Sequence, residues 1–287
     1  MSNYYHGAKA SKQATSVSTP VVADSSIHLI VGTAPVHTVG GKVNEPVYAS
    51  NYAEAVAAMG YSDEWDKYDI CEEIYSSFKL YSNGPIIMVN VLDPAKHLKG
   101  AETVEKTLAG GITELPYEAV SDTVEVKGYD GEDSLTETYT RGEDYDLFYT
   151  DGVLRLERIE SGKIKADNAR LNIKFNSVDP SKVTKKEIIG GYDTNTNKSS
   201  GFELVDSVYP KYGVIPTLFL APNFSTDSEV AAIMAAKAEN INGLFTGKAI
   251  IDADTETVKV YSDVLRLCCH NCSYLRICRK VWCKEEC

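Results

Sequence analysis

The cysteines near the C-terminus are the residues with the clearest potential for metal chemistry. Cys269 and Cys272 are separated by two residues, Cys283 and Cys287 by three, and His270 lies within the first pair. Thiolates and imidazole at such spacings can surround a tetrahedral zinc ion. The alternative is a reading-frame shift or assembly artefact, because cysteine content and charge both change abruptly after residue 264.

Two other short patterns could hold a ligand, and each has a simpler explanation. Gly32-Thr-Ala-Pro35 follows an apolar run, but a phosphate-binding loop needs further glycines and a helix N-terminus. Asp252, Asp254 and Glu256 alternate and could offer oxygen ligands to a divalent cation. A solvated turn after a strand explains these acidic residues more simply. We therefore expect no metal and no cofactor.

The histidines form no catalytic constellation in the sequence. His6, His28, His37 and His97 have no serine, cysteine or carboxylate at an informative spacing. Cys71 lies among apolar residues of a predicted helix, which favours a place in the core over a role as nucleophile. No catalytic residue is predicted.

Composition and charge narrow the class of protein. The 287 residues are 43% hydrophobic and 24% charged, which is typical of a globular protein with room for two compact domains. The formal net charge of -12 argues against a nucleic-acid partner, which would require a basic face. No run of about 18 apolar residues could cross a bilayer, and the first twenty residues lack the apolar stretch of a secretory signal. The expected location is the cytoplasm.

Two apolar strands and two helices are predicted in the first part of the chain. Residues 26–35 read as a short strand that ends at a glycine and a proline, and residues 86–92 as a strand buried on both faces. Asn51 followed by Glu54 resembles a capping box, and Gly60 can end the helix that it starts. A second helix is predicted to cover the sheet with one apolar face. The residues of this face recur at helical spacing and are Ile70, Ile74, Phe78 and Tyr81.

The pattern of apolar and polar residues changes at about residue 110. Short alternating runs separated by turn signals, such as 153–159 and 171–175, predict a small antiparallel β domain. Helix and strand patterns then return, with strands at 214–221 and 248–252 and a helix capped by Thr226 with Glu229. Because the alternation of predicted helices and strands is interrupted once and then resumes, we predict an α/β fold with an inserted β domain. The expected segments are an arm (1–22), the first α/β part (23–109), the β domain (110–197), the second α/β part (198–264) and a Cys-rich tail (265–287).

The N-terminal segment is polar and has no hydrophobic periodicity. Its stretch Ala14, Thr15, Ser16, Val17, Ser18, Thr19 is partly β-branched and suits addition as a strand to a sheet edge of another copy. A frayed chain terminus explains the same composition. Sequence alone leaves both readings open.

Several motifs together resemble the contractile tail sheath proteins of myoviruses, R-type tailocins and related prophages. The resemblance is continuous over about residues 4–264. It is carried by Tyr5-His-Gly-Ala, Leu29-Ile-Val-Gly-Thr-Ala-Pro35, Tyr68-Asp-Ile-Cys-Glu-Glu-Ile74, Ile86-Ile-Met-Val-Asn-Val-Leu-Asp-Pro94, Tyr209-Pro-Lys-Tyr, Leu220-Ala-Pro-Asn-Phe-Ser225 and Ala235-Ala-Lys-Ala-Glu-Asn-Ile-Asn242.

The resemblance implies a structural subunit without enzymatic activity. Its expected partners are other sheath subunits, linked through strand-exchange arms, together with a tail tube protein and a baseplate. It implies a place in the sheath of a virion or tailocin particle assembled in the host cytoplasm, with no nucleic-acid contact and no membrane insertion. After Val264 the sequence departs from the family pattern. We therefore expect an α/β core that is incomplete at its C-terminal side, lacks the C-terminal arm and is defective in assembly.

Two rival functions stay open at this point. An α/β enzyme or small-ligand-binding protein would place its ligand beyond the carboxyl ends of the parallel strands. A zinc-dependent interaction module would be built on the C-terminal cysteines and would bind metal stoichiometrically.

Overall fold

A computed structural model describes residues 27–129, 135–150, 152–252 and 274–276. The protein is a mixed α/β structure in which one sheet of six strands is accompanied by separate antiparallel sheets of four, three and two strands. In chain order, the strands are β1 (His28–Gly32), β2 (Val47–Ala49), β3 (Ile86–Asn90), β4 (Leu98–Thr107), β5 (Ile112–Leu115), β6 (Glu125–Tyr129), β7 (Leu135–Tyr139), β8 (Tyr145–Thr150), β9 (Val153–Arg158), β10 (Arg170–Val178), β11 (Gly191–Asp193), β12 (Lys198–Ser200), β13 (Leu218–Leu220), β14 (Lys248–Asp252) and β15 (Tyr274–Arg276).

The helices lie mainly beside the six-stranded sheet. They are α1 (Tyr52–Met59), α2 (Asp69–Tyr75), α3 (Lys185–Ile189), α4 (Val205–Tyr212) and α5 (Ser228–Glu239). A π-helical turn, Ser76–Leu80, directly continues α2, and a 3-10 turn, Gly201–Leu204, directly precedes α4.

The six-stranded sheet has the order β15-β14-β13-β1-β3-β2, and only β2 runs antiparallel to its neighbour. Its central strands are buried on both faces, as their continuous apolar sequences predict. Leu29 and Val31 pack into the cluster on one face, whereas Ile30 packs into the cluster on the other. The predicted strand, helix, strand order is therefore confirmed.

The first predicted helix begins and ends where the sequence indicates. The Asn51 side chain accepts a hydrogen bond from the Glu54 backbone N–H at 3.0 Å, and the Glu54 carboxylate accepts from the backbone and hydroxyl of Ser50. Gly60 follows the helix with φ 74°, a conformation that costs a side-chain-bearing residue more than glycine.

The second helix departs from the predicted pattern at its end. Ile70 and Ile74 are fully buried against the sheet, as expected, and Phe78 is partly buried. Tyr81, however, is 77% exposed. The π turn accommodates more residues per turn than an α-helix, so it rotates the following residues away from the apolar face. The prediction for Tyr81 was wrong for this reason.

The cap of the last long helix also differs from the prediction by one residue. Asp227, not Thr226, is the N-cap, and its carboxylate accepts a hydrogen bond from the Glu229 backbone at 2.9 Å. Val230 and Met234 are fully buried on the side of α5 that faces the sheet.

Residues 98–178, named the insert here, contain the four-stranded sheet β4-β10-β6-β7 and the three-stranded sheet β5-β9-β8. These two sheets enclose their own apolar cluster, which includes Leu156, Ile173 and Phe175. The remaining described residues up to 252 are named the α/β unit, and Val183 and Ile188 pack into its cluster. The segment boundaries expected at 110 and 197 stay predictions.

Candidate functional site

The carboxyl edge of the parallel strands is the first place to look for a ligand in an open α/β sheet. Asn90, the last residue of β3, is fully buried at this edge. Its side-chain oxygen accepts hydrogen bonds from the backbone N–H groups of Ala34 and Leu92 at 3.0 and 3.1 Å, and its amide nitrogen donates to the Leu92 carbonyl at 2.9 Å. The amide thus joins the loops that follow β1 and β3 to each other.

A buried carboxylate at the start of α2 completes this network. Asp69 Oδ1 accepts hydrogen bonds from the Thr33 backbone at 2.5 Å and from the Thr33 hydroxyl at 3.0 Å. Gly32 leaves space for the carboxylate, since a Cβ at that residue would collide with it. Asp69 Oδ2 is buried and has no hydrogen-bond partner among the described residues. Burial raises the pKa of Asp69 to about 7, against the hydrogen bonds from Thr33 that favour the ionised form.

Asp252 is the described member of the alternating acidic group, and Asp254 and Glu256 lie outside the described residues. The Ser225 hydroxyl donates to Asp252 Oδ2 at 2.9 Å and accepts from the Asp252 backbone N–H at 3.0 Å. This reciprocal pair ties the end of β14 to the loop after β13. Among the described residues, no group of three or more His, Cys, Asp or Glu side chains could hold a metal ion.

His28 has partners that its sequence neighbourhood does not reveal. Its Nδ1 lies 2.5 Å from Glu73 Oε1, which also accepts a hydrogen bond from the Ser77 hydroxyl at 2.6 Å. Because Glu73 lies 45 residues away, its pairing with His28 follows from the fold alone. The three groups form no serine triad, since the serine donates to the carboxylate and is itself 2% exposed.

The remaining predicted residues occupy different environments. His97 Nδ1 accepts a hydrogen bond from the Asp93 backbone at 2.9 Å, and His37 lies where the insert contacts the α/β unit. Cys71 is fully buried, and burial raises the pKa of its thiol to about 12, which confirms its predicted place in the core.

Several predicted sites lie outside the described residues. They are His6, the arm residues Ala14, Thr15, Ser16, Val17, Ser18 and Thr19, and the C-terminal candidates Cys269, His270, Cys272, Cys283 and Cys287. Within the Cys-rich tail, the backbone of 274–276 is described and pairs in parallel with β14.

The described part of the chain contains no helix long and apolar enough to cross a membrane. Apart from Asp69 Oδ2, the polar groups described at the carboxyl edge form hydrogen bonds with one another or with the backbone, and these bonds hold the loops around the sheet.

Comparison with known proteins shows a similarity to a phage tail sheath protein. It is similar to the tail sheath protein of Burkholderia phage BcepMu, with 28% identity over 257 residues. The matched region is 89% of this chain and 50% of that protein, so the chain spans about half the length of the curated relative it matches. No family model matches the sequence. The resemblance inferred from the motifs is confirmed.

Proposed function

We propose that this protein is a structural subunit of a contractile tail sheath, which polymerises around a tail tube and contracts to drive the tube through a bacterial envelope. The observation that supports the proposal most strongly is the similarity to a tail sheath protein over 89% of the chain. The proposed partners are other sheath subunits, the tube protein and a baseplate. The proposed location is the tail of a virion or a tailocin particle.

The α/β architecture suits a subunit that must stay rigid while it moves relative to its neighbours. The parallel sheet is packed on both faces by separate clusters, and the insert has a third cluster of its own. Close-packed interiors transmit force with little deformation. In this proposal, the sheath-type core interrupted by the inserted β domain moves as a body, and residues 14–19 link each copy to the next by strand addition.

An enzymatic or ligand-binding function is the weaker candidate. The side chains of Thr33, Asn90 and Ser225, which an α/β ligand site would use at the carboxyl edge, all make hydrogen bonds within the protein. A ligand could reach these groups only by breaking bonds that hold the loops together, at a cost of about 1–3 kcal/mol for each buried group left unpaired. We therefore propose that the protein is not an enzyme.

The location can be tested with an epitope inserted in the exposed turn between β11 and β12, at residues 194–197. Tails should be purified from a lysate of bacteria that produce both the tagged protein and complete particles, and then labelled with gold-coupled antibody. We expect label along the whole outer wall of extended tails and along the shortened wall of contracted ones. Label confined to the tube, or found only on free protein, would contradict the proposal.

The arm can be tested by removing backbone donors without removing residues. Proline has no N–H group to donate to a neighbouring strand. The backbone N–H groups of every second residue in a strand point to the same side. One variant carries proline at residues 15, 17 and 19 and a second carries it at 14, 16 and 18. The matched controls carry alanine at 15, 17 and 19 and at 16 and 18, since residue 14 is already alanine.

Incorporation into tails is the measurement for these variants. We expect at least one proline variant to be lost from purified tails, because its strand cannot form the ladder, while the alanine controls are incorporated. Equal incorporation of both proline variants and their controls would exclude strand addition by residues 14–19. That result would leave the sheath assignment to be decided by the gold labelling.

A further inference from the structure

The insert contacts the α/β unit through a tyrosine that reaches across the boundary. Tyr117, after β5, donates a hydrogen bond from its hydroxyl to the Tyr61 carbonyl at 2.9 Å. Its ring also meets the ring of Tyr68 edge-on, with centroids 6.4 Å apart. Tyr117 thereby joins the insert to the segment that leads into α2.

A charged pair lies beside this contact. The Lys67 ammonium of the α/β unit is 2.8 Å from Glu118 of the insert and 2.7 Å from Glu64 of its own unit. The lysine side chain is 46% exposed, so solvent weakens the attraction. The pair orients the contact more than it stabilises it.

His37 lies at the centre of the same contact, in a 3-10 turn of the α/β unit, Val36–Thr38. Its Nε2 is 2.9 Å from the Tyr117 carbonyl oxygen, which can only accept, so Nε2 carries a hydrogen. The ring meets the edges of Tyr117 and Tyr149 with centroid distances of 5.7 and 5.8 Å. His37 thus contacts the insert on two sides while it is 9% exposed.

The second ring nitrogen of His37 explains why the charge of the ring matters. Nδ1 is buried and has no hydrogen-bond partner among the described residues. In the neutral ring Nδ1 is an acceptor left without a donor, but in the protonated ring it would be a buried N–H that carries part of a charge. Burying an unpaired charged donor costs far more than burying an unpaired acceptor.

The groups that face His37 offset this cost only in part, although the hydrogen bond to the Tyr117 carbonyl favours the protonated ring. The insert presents the phenols of Tyr117 and Tyr149 and, farther away, the carboxylate of Glu118. Glu118 attracts the protonated ring, but it is paired with Lys67. Burial dominates, and the pKa of His37 is lowered from its ordinary value of 6.5.

We propose that His37 is a proton-sensitive latch between the α/β unit and the insert: the neutral ring holds Tyr117, and protonation at Nδ1 releases the insert. Each unit keeps its own apolar cluster, so release requires neither unit to unfold. At mildly acidic pH the insert would then move more freely relative to the α/β unit. This inference does not depend on the proposed sheath function.

The direction of the pH effect follows from linkage. Because the pKa of His37 is lowered in the docked state, the released state binds the proton more readily. The contact is therefore at full strength above pH 6.5 and weakens as the pH falls below that value. Each unit of pKa difference corresponds to a tenfold change in the docking equilibrium.

Hydrogen exchange can measure docking separately from unfolding. Peptides covering 36–41 and 116–120 report on the contact, while peptides from β3 and β10 report on the interiors of the two units. The full chain is compared at pH 7.5 and 5.5 after correction for the intrinsic exchange rate. We expect contact peptides of the wild type to lose protection at pH 5.5, by up to about tenfold for a released-state pKa of 6.5, with β3 and β10 unchanged.

Two variants assign the effect to one ring. His37→Gln keeps a donor at the position of Nε2 and cannot be protonated, so its contact peptides should exchange equally at both pH values. His97→Asn keeps an acceptor at the position of Nδ1 and should respond like the wild type. A response in His37→Gln equal to that of the wild type would overturn the proposal.

A direct titration keeps the proposal falsifiable if His37→Gln does not fold. The His37 ring signal of the wild type should move on acidification together with the loss of protection at 116–120. A ring that titrates at 6.5 or above while the contact peptides stay protected would also overturn the proposal.

Discussion

The buried carboxyl of Asp69 allows a quantitative prediction about stability and pH. The side chain is fully buried between β1 and α2, and half of its hydrogen-bonding capacity has no partner among the described residues. Replacing it in the variant Asp69→Asn keeps the shape and an acceptor for Thr33 but removes the ability to ionise. The variant therefore isolates the contribution of the charge.

The size of the effect follows from the pKa shift. Burial raises the pKa from 3.8 to about 7 in the folded protein, so the folded state binds the proton more tightly than the unfolded state. A difference of about three units corresponds to about 4 kcal/mol. The contribution of Asp69 to the free energy of unfolding is therefore largest below about pH 4. This contribution is lost as the pH rises toward about 7.

The variant should show no such loss. At pH 4 we expect its stability to be close to that of the wild type, because the protonated carboxyl of Asp69 and the amide of the variant both place a donor where Oδ2 has no partner. Between pH 4 and pH 8 the stability difference should move in favour of the variant by about 4 kcal/mol. Guanidinium unfolding followed by circular dichroism at each pH unit measures this difference.

Asp144 provides a control of opposite sign. Its carboxylate accepts hydrogen bonds from the backbone of Thr140 and Lys163, both at 2.8 Å, and these bonds lower its pKa. Asp144→Asn should therefore be most destabilising at neutral pH, and the difference should shrink as the pH falls. A stability difference for Asp69→Asn that stays constant from pH 4 to pH 8 would refute the reasoning about the buried carboxyl.

Three further predictions follow from local contacts. Asn51→Ala removes the side-chain acceptor for the Glu54 backbone and should cost about 1 kcal/mol in thermal unfolding, whereas Asn51→Asp should cost little; equal losses would argue against the cap. Phe202 is fully buried and stacks on Phe219 with ring centroids 6.3 Å apart. Phe202→Ala should therefore lower the free energy of unfolding by about 3–5 kcal/mol, and Phe202→Leu by clearly less. Chemical-unfolding midpoints of the two variants that are similar to that of the wild type would contradict the role of Phe202 in the core. Because burial raises the pKa of Cys71 to about 12, its peptide should react with iodoacetamide at pH 8 only after unfolding, as followed by mass spectrometry, and rapid labelling of the folded protein would show that the thiol is accessible.

The parallel sheet was predictable because its strands are buried on both faces. Such strands have continuous apolar sequences, and Ile86–Asn90 is buried at every residue. Strand β4 was not predicted, although it is ten residues long. It contains Gly100 and is exposed over most of its length, so its sequence lacks the apolar alternation that identifies a half-buried strand.

The polar contacts were not predictable from spacing. Thr33 and Asp69 are 36 residues apart, and His28 and Glu73 are 45 apart. These pairs meet because the helix α2 crosses back over the strand β1, which is a property of the fold. Sequence reasoning named no catalytic residue, and it could not find the buried network or the contact at His37.

The hydrogen bonds at the carboxyl edge of the parallel strands help to decide between a ligand site and a structural role for this edge. A ligand site keeps polar groups directed at an open crevice, where water satisfies them until the ligand binds. Here the Asn90 amide closes the loops after β1 and β3 onto each other, and the buried Asp69 carboxyl anchors the helix α2 to the end of β1. Both arrangements reduce the freedom of the loops that would have to adapt to a ligand. A closed edge of this kind argues against a ligand site there, and the pH dependence of Asp69→Asn measures the cost of ionising the carboxyl that anchors it.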